Sequence, residues 1–191
     1  MIDLSDNVHF FGTKRQPEIT SNPTIPELTQ EEINAAKVIL LSSSVEEINK
    51  IMMNTPNVID GCSYENHILK IDNLESATKL YREMLKFHIK LDTIKYEENL
   101  KRWWCCFNNP RDHTKHDMDI RLQEVIQELA DMPLDIARAI TIESKKTWLY
   151  KPTLFQINDM FKNEIAYRNH LLNGTKKFLT KYIEEEKANV S

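Results

Sequence analysis

The chain has 191 residues, of which 41% are hydrophobic and 28% are charged, and its formal net charge is -4. This length suits one domain with a core of its own, and the acidic balance excludes a uniformly basic nucleic-acid-binding protein. Gly occurs only three times, which argues against glycine-rich phosphate loops and the nucleotide-dependent enzymes that use them. The three cysteines form no disulfide pattern, and no segment resembles a leader or a membrane span, so we expect a cytoplasmic protein.

The first 28 residues predict an extended or disordered arm, because they contain Pro17, Pro23 and Pro26 and show little periodicity. Phe10 and Phe11 are adjacent in this arm. Paired aromatic side chains there are candidates for docking onto a partner, and the alternative is that they pack back onto the protein's own body.

Two short helices are predicted next. Thr29 with Glu32, and Ser44 with Glu47, have the spacing of capping boxes, in which each side chain satisfies a free backbone donor of the other. The second helix is expected to turn four apolar side chains inward: Val45, Ile48, Ile51 and Met52. Residues 55–71 are expected to form a loop, and they are the best candidate for an internal boundary.

The central part of the chain predicts further helices. One begins near Asp72, which pairs with Glu75 as a cap, and another covers residues 93–107. Nothing between Ile89 and Ile94 forces a break, so the two segments could form one long helix. Trp103 and Trp104 point about 100° apart on a helix, so we expect one in the core and the other half-exposed.

The C-terminal half predicts helices that are delimited by proline and by side-chain caps. A helix from about Asp117 stops before Pro133, and Pro133 suits the first turn of the next helix. Thr153 and Gln156 form a third capping box, and the helix that they begin is expected to end at Gly174, before a separate tail helix.

No catalytic motif is present. The one cluster with metal-ligand chemistry comprises Cys105, Cys106, His113 and His116. Its spacing matches no standard zinc site, so an incidental polar loop is favoured over a metal-dependent enzyme. We therefore predict no catalytic residue, no cofactor and no metal.

Charge is unevenly distributed along the sequence. Residues 138–181 contain nine Lys and Arg against three Asp and Glu, which gives this segment +6 and leaves -10 for the rest. Such a pattern is common on solvated helix faces, and it is also typical of a surface for an acidic partner or for DNA.

The stretch from Leu100 to Leu172 resembles small proteins encoded by phages and prophages, particularly of alphaproteobacteria. The similarity lies in Arg121-Leu122, in Glu128-Leu129-Ala130-Asp131-Met132-Pro133-Leu134-Asp135, in Ala137 and Ala139, in Trp148-Leu149-Tyr150-Lys151-Pro152-Thr153, and in Ile157 and Arg168. Lys151 departs from the pattern, because an aromatic residue usually stands before that proline in the family. Some of these proteins resemble helicase loaders and replication organisers, which bind a replicative helicase of the host type and bring it to the phage origin.

Together these observations predict an all-α protein, a bundle of about six to eight helices over residues 29–191 with an extended arm over residues 1–28. The resemblance implies a non-enzymatic accessory protein of DNA replication that acts by protein binding, with a replicative helicase as the expected partner. The alternative is a nucleic-acid-binding protein that uses the basic segment 138–181. The candidate partner-binding residues are Phe10, Phe11, Trp148, Tyr150, Lys151 and Arg168. The sequence leaves the oligomeric state open.

Overall fold

A computed structural model describes residues 25–54 and 73–190 of the chain. Within these ranges the secondary structure is entirely helical, apart from two isolated backbone bridges, which confirms the all-α prediction. The eight helices there are α1 (Gln30–Ser42), α2 (Val45–Asn54), α3 (Leu74–Lys86), α4 (Thr93–Trp104), α5 (Lys115–Asp131), α6 (Leu134–Thr147), α7 (Leu154–Met160) and α8 (Lys162–Val190). The expected loop at 55–71 and most of the expected arm, including Phe10 and Phe11, lie outside the described residues.

Side-chain caps explain where most of the helices begin. The predicted capping boxes at Thr29, Ser44 and Thr153 are all present. A further box joins Thr114 to Asp117 and starts α5 two residues before the expected position. Helix α3 is capped by Asn73, whose side chain accepts from the Ser76 N–H, so the cap lies beside the predicted Asp72.

Helices α3 and α4 are separate, which excludes the single long helix that the sequence allowed. The Asp92 side chain accepts from the Lys95 N–H at 3.2 Å and starts α4. Upstream of this cap, the Ile89 carbonyl accepts from the Leu134 N–H at 2.8 Å. Because this carbonyl is paired with a distant part of the chain, the helix cannot continue through it.

The predicted helix end at Gly174 is wrong. The helix is interrupted at Phe161, whose φ of -130° and ψ of 31° are not helical, and α8 then runs unbroken from Lys162 to Val190. Gly174 is buried within α8, between Leu171 and Leu179, which pack against α3. A residue without a side chain here lets the two helices approach closely, so this glycine serves packing and not capping.

The core is continuous across the segment at 55–72. Residues of α1 and α2 share one apolar cluster with residues of α3, α6 and α8: Leu40, Ile48, Met52, Met84, Phe87, Leu134 and Leu171. Ile51, expected to point inward, is instead 44% exposed, because it lies off the stripe formed by Ile48 and Met52.

A second cluster joins α4, α5, α6 and α7, and it contains both central tryptophans. Trp103 and Trp104 are 3% and 4% exposed, so the prediction that one would be half-exposed is wrong. Trp103 lies on the stripe with Phe107, while Trp104 is also covered at the end of the helix. The Trp103 indole N–H donates to the buried Ser144 hydroxyl at 3.0 Å, so this buried polar group has a hydrogen-bond partner.

Candidate functional site

The link between α6 and α7 is a corner with a fixed backbone. Asn108, in the loop after α4, donates its N–H to the Leu149 carbonyl at 3.1 Å and accepts from the Lys151 N–H at 2.9 Å. Trp148 is half-buried against the α4–α7 cluster, and Pro152 is buried. Pro152 fixes its own φ, and the pairing with Asn108 adds a second constraint on the backbone.

Three large apolar side chains at this corner face solvent. Leu149 is 65% exposed, Tyr150 is 47% exposed and Phe155 is 75% exposed, and we call these three residues the elbow surface. Large apolar groups that remain in water on a fixed backbone are typical of contact sites. Sequence analysis identified Tyr150 and missed its two neighbours. A signal existed for Phe155, since it lies off the stripe that Ile157 continues.

Lys151 is held beside the elbow surface instead of projecting freely. Its ammonium group lies 5.7 Å from the centre of the Trp104 ring and donates to the Asn109 side-chain oxygen. The cation–π contact and the hydrogen bond fix its position. The charge of Lys151 is therefore accommodated by an aromatic face.

Arg168 lies in the interior, away from the elbow surface. Its guanidinium group donates to both Asp135 carboxylate oxygens, at 2.8 and 2.7 Å, and both side chains are fully buried. It also donates to the Asn49 side-chain oxygen at 3.1 Å and to the Phe87 carbonyl at 3.4 Å. We call Arg168 and these three partners the polar junction. In this conformation Arg168 is enclosed and has no surface to offer a partner, so we assign it a structural role.

Asp135 and Arg168 are separated in sequence, and the fold joins them as a planar, two-pronged ion pair. Removal of either partner would leave an isolated charge in a dry interior, which is far less favourable than the intact pair. Asp135 and Arg168 therefore have a structural role, which is to hold their two helices together.

His88 borders the polar junction. Its Nδ1 lies 2.9 Å from the Met84 carbonyl, and its Nε2 is buried without a hydrogen-bond partner among the described residues. Burial lowers the pKa of His88 below its ordinary value of 6.5, and the neighbouring Arg168 charge lowers it further. The neutral ring with its proton on Nδ1 fits this arrangement, because it donates to the carbonyl and carries no charge into the interior.

The cysteine and histidine cluster is dispersed. Cys105 and Cys106 are exposed free thiols, and the Nε2 of His113 is occupied by Arg121 at 3.1 Å. No group of three or more His, Cys, Asp or Glu suited to a metal ion occurs in the parts of the chain that the structure describes. In the same ranges, no helix is both long enough and apolar enough to cross a membrane.

The basic segment 138–181 divides into paired and unpaired cations. Arg168 is neutralised in the interior, and Lys146 and Lys181 pair with Glu143 and Glu185. The exposed cations of the segment without an ion pair in the described ranges include Lys145, Lys162 and Lys176. The surface charge is therefore weaker than the sequence count suggests.

Comparisons of the chain with protein-family models, with curated proteins and with solved structures gave no match.

Proposed function

We propose that this chain is a non-enzymatic adaptor that acts by binding another protein. The observation that carries the proposal is the elbow surface, where Leu149, Tyr150 and Phe155 stay in water on a backbone that is held from both sides. Because the corner is already ordered, a partner would bind it without the entropy loss of ordering a loop. Tyr is also among the residues that most often dominate binding energies.

A replicative helicase of the bacterial type is the partner that we propose. The support is the resemblance of residues 100–172 to small phage and prophage proteins, some of which resemble helicase loaders. On this proposal the chain holds the helicase and delivers it to DNA without hydrolysing nucleotide itself. Tyr150 and the adjacent Trp148 and Lys151 would belong to the contact, as would Phe10 and Phe11 of the N-terminal segment.

The test is direct binding of the purified 191-residue chain to a purified hexameric replicative helicase. Calorimetry and size-exclusion chromatography measure the binding. We expect Tyr150→Ala with Phe155→Ala to weaken binding at least tenfold, which corresponds to about 1.4 kcal/mol. Val38→Ala is the matched control, because Val38 is an apolar side chain of α1 that is 68% exposed. Absence of a complex with the unmodified chain would reject the helicase as partner.

Direct binding of DNA is the second candidate. Lys145, Lys162 and Lys176 favour it, since they are exposed and make no ion pair in the described ranges. Binding to phosphates should weaken steeply as salt is raised. A mobility-shift titration of single- and double-stranded DNA between low and physiological salt tests this candidate, and the absence of a salt-dependent shift would remove it.

A further inference from the structure

A groove with a volume of about 490 Å³ lies between α4 and α6 and is separate from the elbow surface. Two helix faces form most of its lining, because the lining residues recur at every third or fourth position from Tyr96 to Cys106 and from Leu134 to Lys145, and Leu41 and Leu91 complete it. At 1.5 Å per residue, each wall extends for roughly 15 Å, which is about three helical turns. Leu100, Trp103, Leu134 and Ala137 are buried and form an apolar floor.

The charged side chains on the rim of the groove are all cationic. Arg102 contributes from α4, and Arg138 and Lys145 contribute from α6, while no Asp or Glu lines the groove. Arg138 is held in place by a hydrogen bond from its guanidinium group to the Ser43 carbonyl at 3.3 Å. Arg102 and Lys145 are exposed and make no ion pair in the described parts of the chain.

The spacing of the cations selects the shape of the occupant. Arg138 and Lys145 are two helical turns apart, which is roughly 10 Å along α6. Because the Arg138 guanidinium group is held by the Ser43 carbonyl, two separate anionic groups suit this pair of cations better than one small anion. Acidic side chains two turns apart on one helix would meet both. The apolar floor is also unsuited to a phosphate backbone, whereas it suits the apolar stripe of an amphipathic helix.

We propose that the groove between α4 and α6 binds an acidic amphipathic helix of the partner protein. The helix would lay its apolar stripe on the accessible apolar side chains of the groove, Leu91, Tyr96 and Ile142, and its Asp or Glu side chains would pair with the cations of the rim. The inference rests on the proposed adaptor function and adds the chemistry of the bound segment. Its acidic character would favour fast association and discriminate against basic segments.

The experiment is a selection that assumes nothing about the partner's sequence. A displayed library of fifteen-residue peptides with helix-favouring frames and randomised faces is selected on the full-length chain. We expect the enriched peptides to share an apolar stripe that is flanked by Asp or Glu seven residues apart. The most enriched peptide is then labelled, and its dissociation constant is measured by fluorescence anisotropy.

The variant pair R102E with K145E tests the rim. We expect it to bind the selected peptide at least tenfold more weakly, and to regain affinity for the same peptide with Lys in place of its acidic residues. The matched control is K162E with K176E, which makes an identical charge change at exposed α8 positions and should stay within about twofold. Circular dichroism of both pairs establishes that they remain folded.

Three results would overturn the inference: no helical peptide is enriched, the selected peptide binds the R102E/K145E pair as tightly as the unmodified chain, or decanoate binds in an Arg102- and Lys145-dependent manner while the selection is empty. The last result would make the groove a site for a small amphipathic anion.

The two proposals can fail separately. A helicase that binds while no groove peptide is enriched rejects the groove alone. A groove peptide without helicase binding rejects the helicase alone.

Discussion

The polar junction and the elbow surface invert the usual distribution of side chains. The junction places a full ion pair, Asp135 with Arg168, where no water reaches it, while the elbow surface leaves Leu149, Tyr150 and Phe155 in solvent. This ion pair and the elbow surface come from the same stretch of sequence, residues 135–168. The contrast teaches that the buried charges hold the helices together, whereas several exposed apolar groups at one fixed corner are where we propose that a partner binds.

The largest loss of stability is expected from a substitution in the polar junction. Arg168→Met should destabilise the protein by about 3–5 kcal/mol, because it leaves the Asp135 carboxylate buried without its counter-charge. Lys146→Met is the surface control: Lys146 pairs with Glu143 at 2.8 Å in water, and its loss should change stability by less than about 1 kcal/mol. Chemical denaturation measures both variants. Equal losses would show that the junction contributes no more than a surface pair.

The double variant Asp135→Leu with Arg168→Met sharpens the same point. It should lose less stability than Arg168→Met alone, since apolar groups of similar size remove both charges together. A double variant that is less stable than either single change would contradict this account of the junction.

An intermediate effect is expected from acid. Because burial holds the pKa of His88 below 6.5 in the folded chain, the unfolded chain takes up this proton first as the pH falls. The stability that His88 contributes is therefore fully present above about pH 6.5 and is lost progressively below it. His88→Gln keeps a donor for the Met84 carbonyl and removes the titration. Denaturation between pH 7.5 and 5.5 should show a smaller loss for this variant than for the unmodified chain, and parallel curves would contradict the assignment.

The smallest loss of stability is expected from substitutions in the elbow surface. Tyr150→Ala with Phe155→Ala should change the free energy of unfolding by no more than about 0.5 kcal/mol for each exposed site, because little apolar contact is lost. Thermal and chemical denaturation check this. A loss as large as that of Arg168→Met would show that the elbow surface stabilises the fold, and it would remove the main support for a binding role.

Local signals in the sequence predicted much of the fold. The capping boxes at Thr29, Ser44 and Thr153 are as expected, because each depends on residues three apart. Gly174 was misinterpreted, since a helix end and a close helix contact both favour glycine. Choosing between them required knowing that α3 packs there.

The candidate site was less accessible from the sequence. The exposure of Leu149 and Phe155 depends on which neighbours cover the corner, and the burial of Arg168 depends on Asp135 and Asn49 coming from other helices. Similarly, the groove is formed by α4 and α6, whose cations are far apart in the sequence and come together only when the chain folds. Periodicity identifies the inward face of a helix, but it does not identify which helix will cover it.

The polar junction also constrains the order in which the protein can mature on the ribosome. Asn49, Phe87 and Asp135 are synthesised well before Arg168, which lies 119, 81 and 33 residues after them, respectively. Until α8 emerges, the nascent chain carries an acidic side chain without its guanidinium partner and an apolar face on α3 that no helix covers. We therefore expect the intermediate on the ribosome to be loose, with compaction completed only after α8 has emerged.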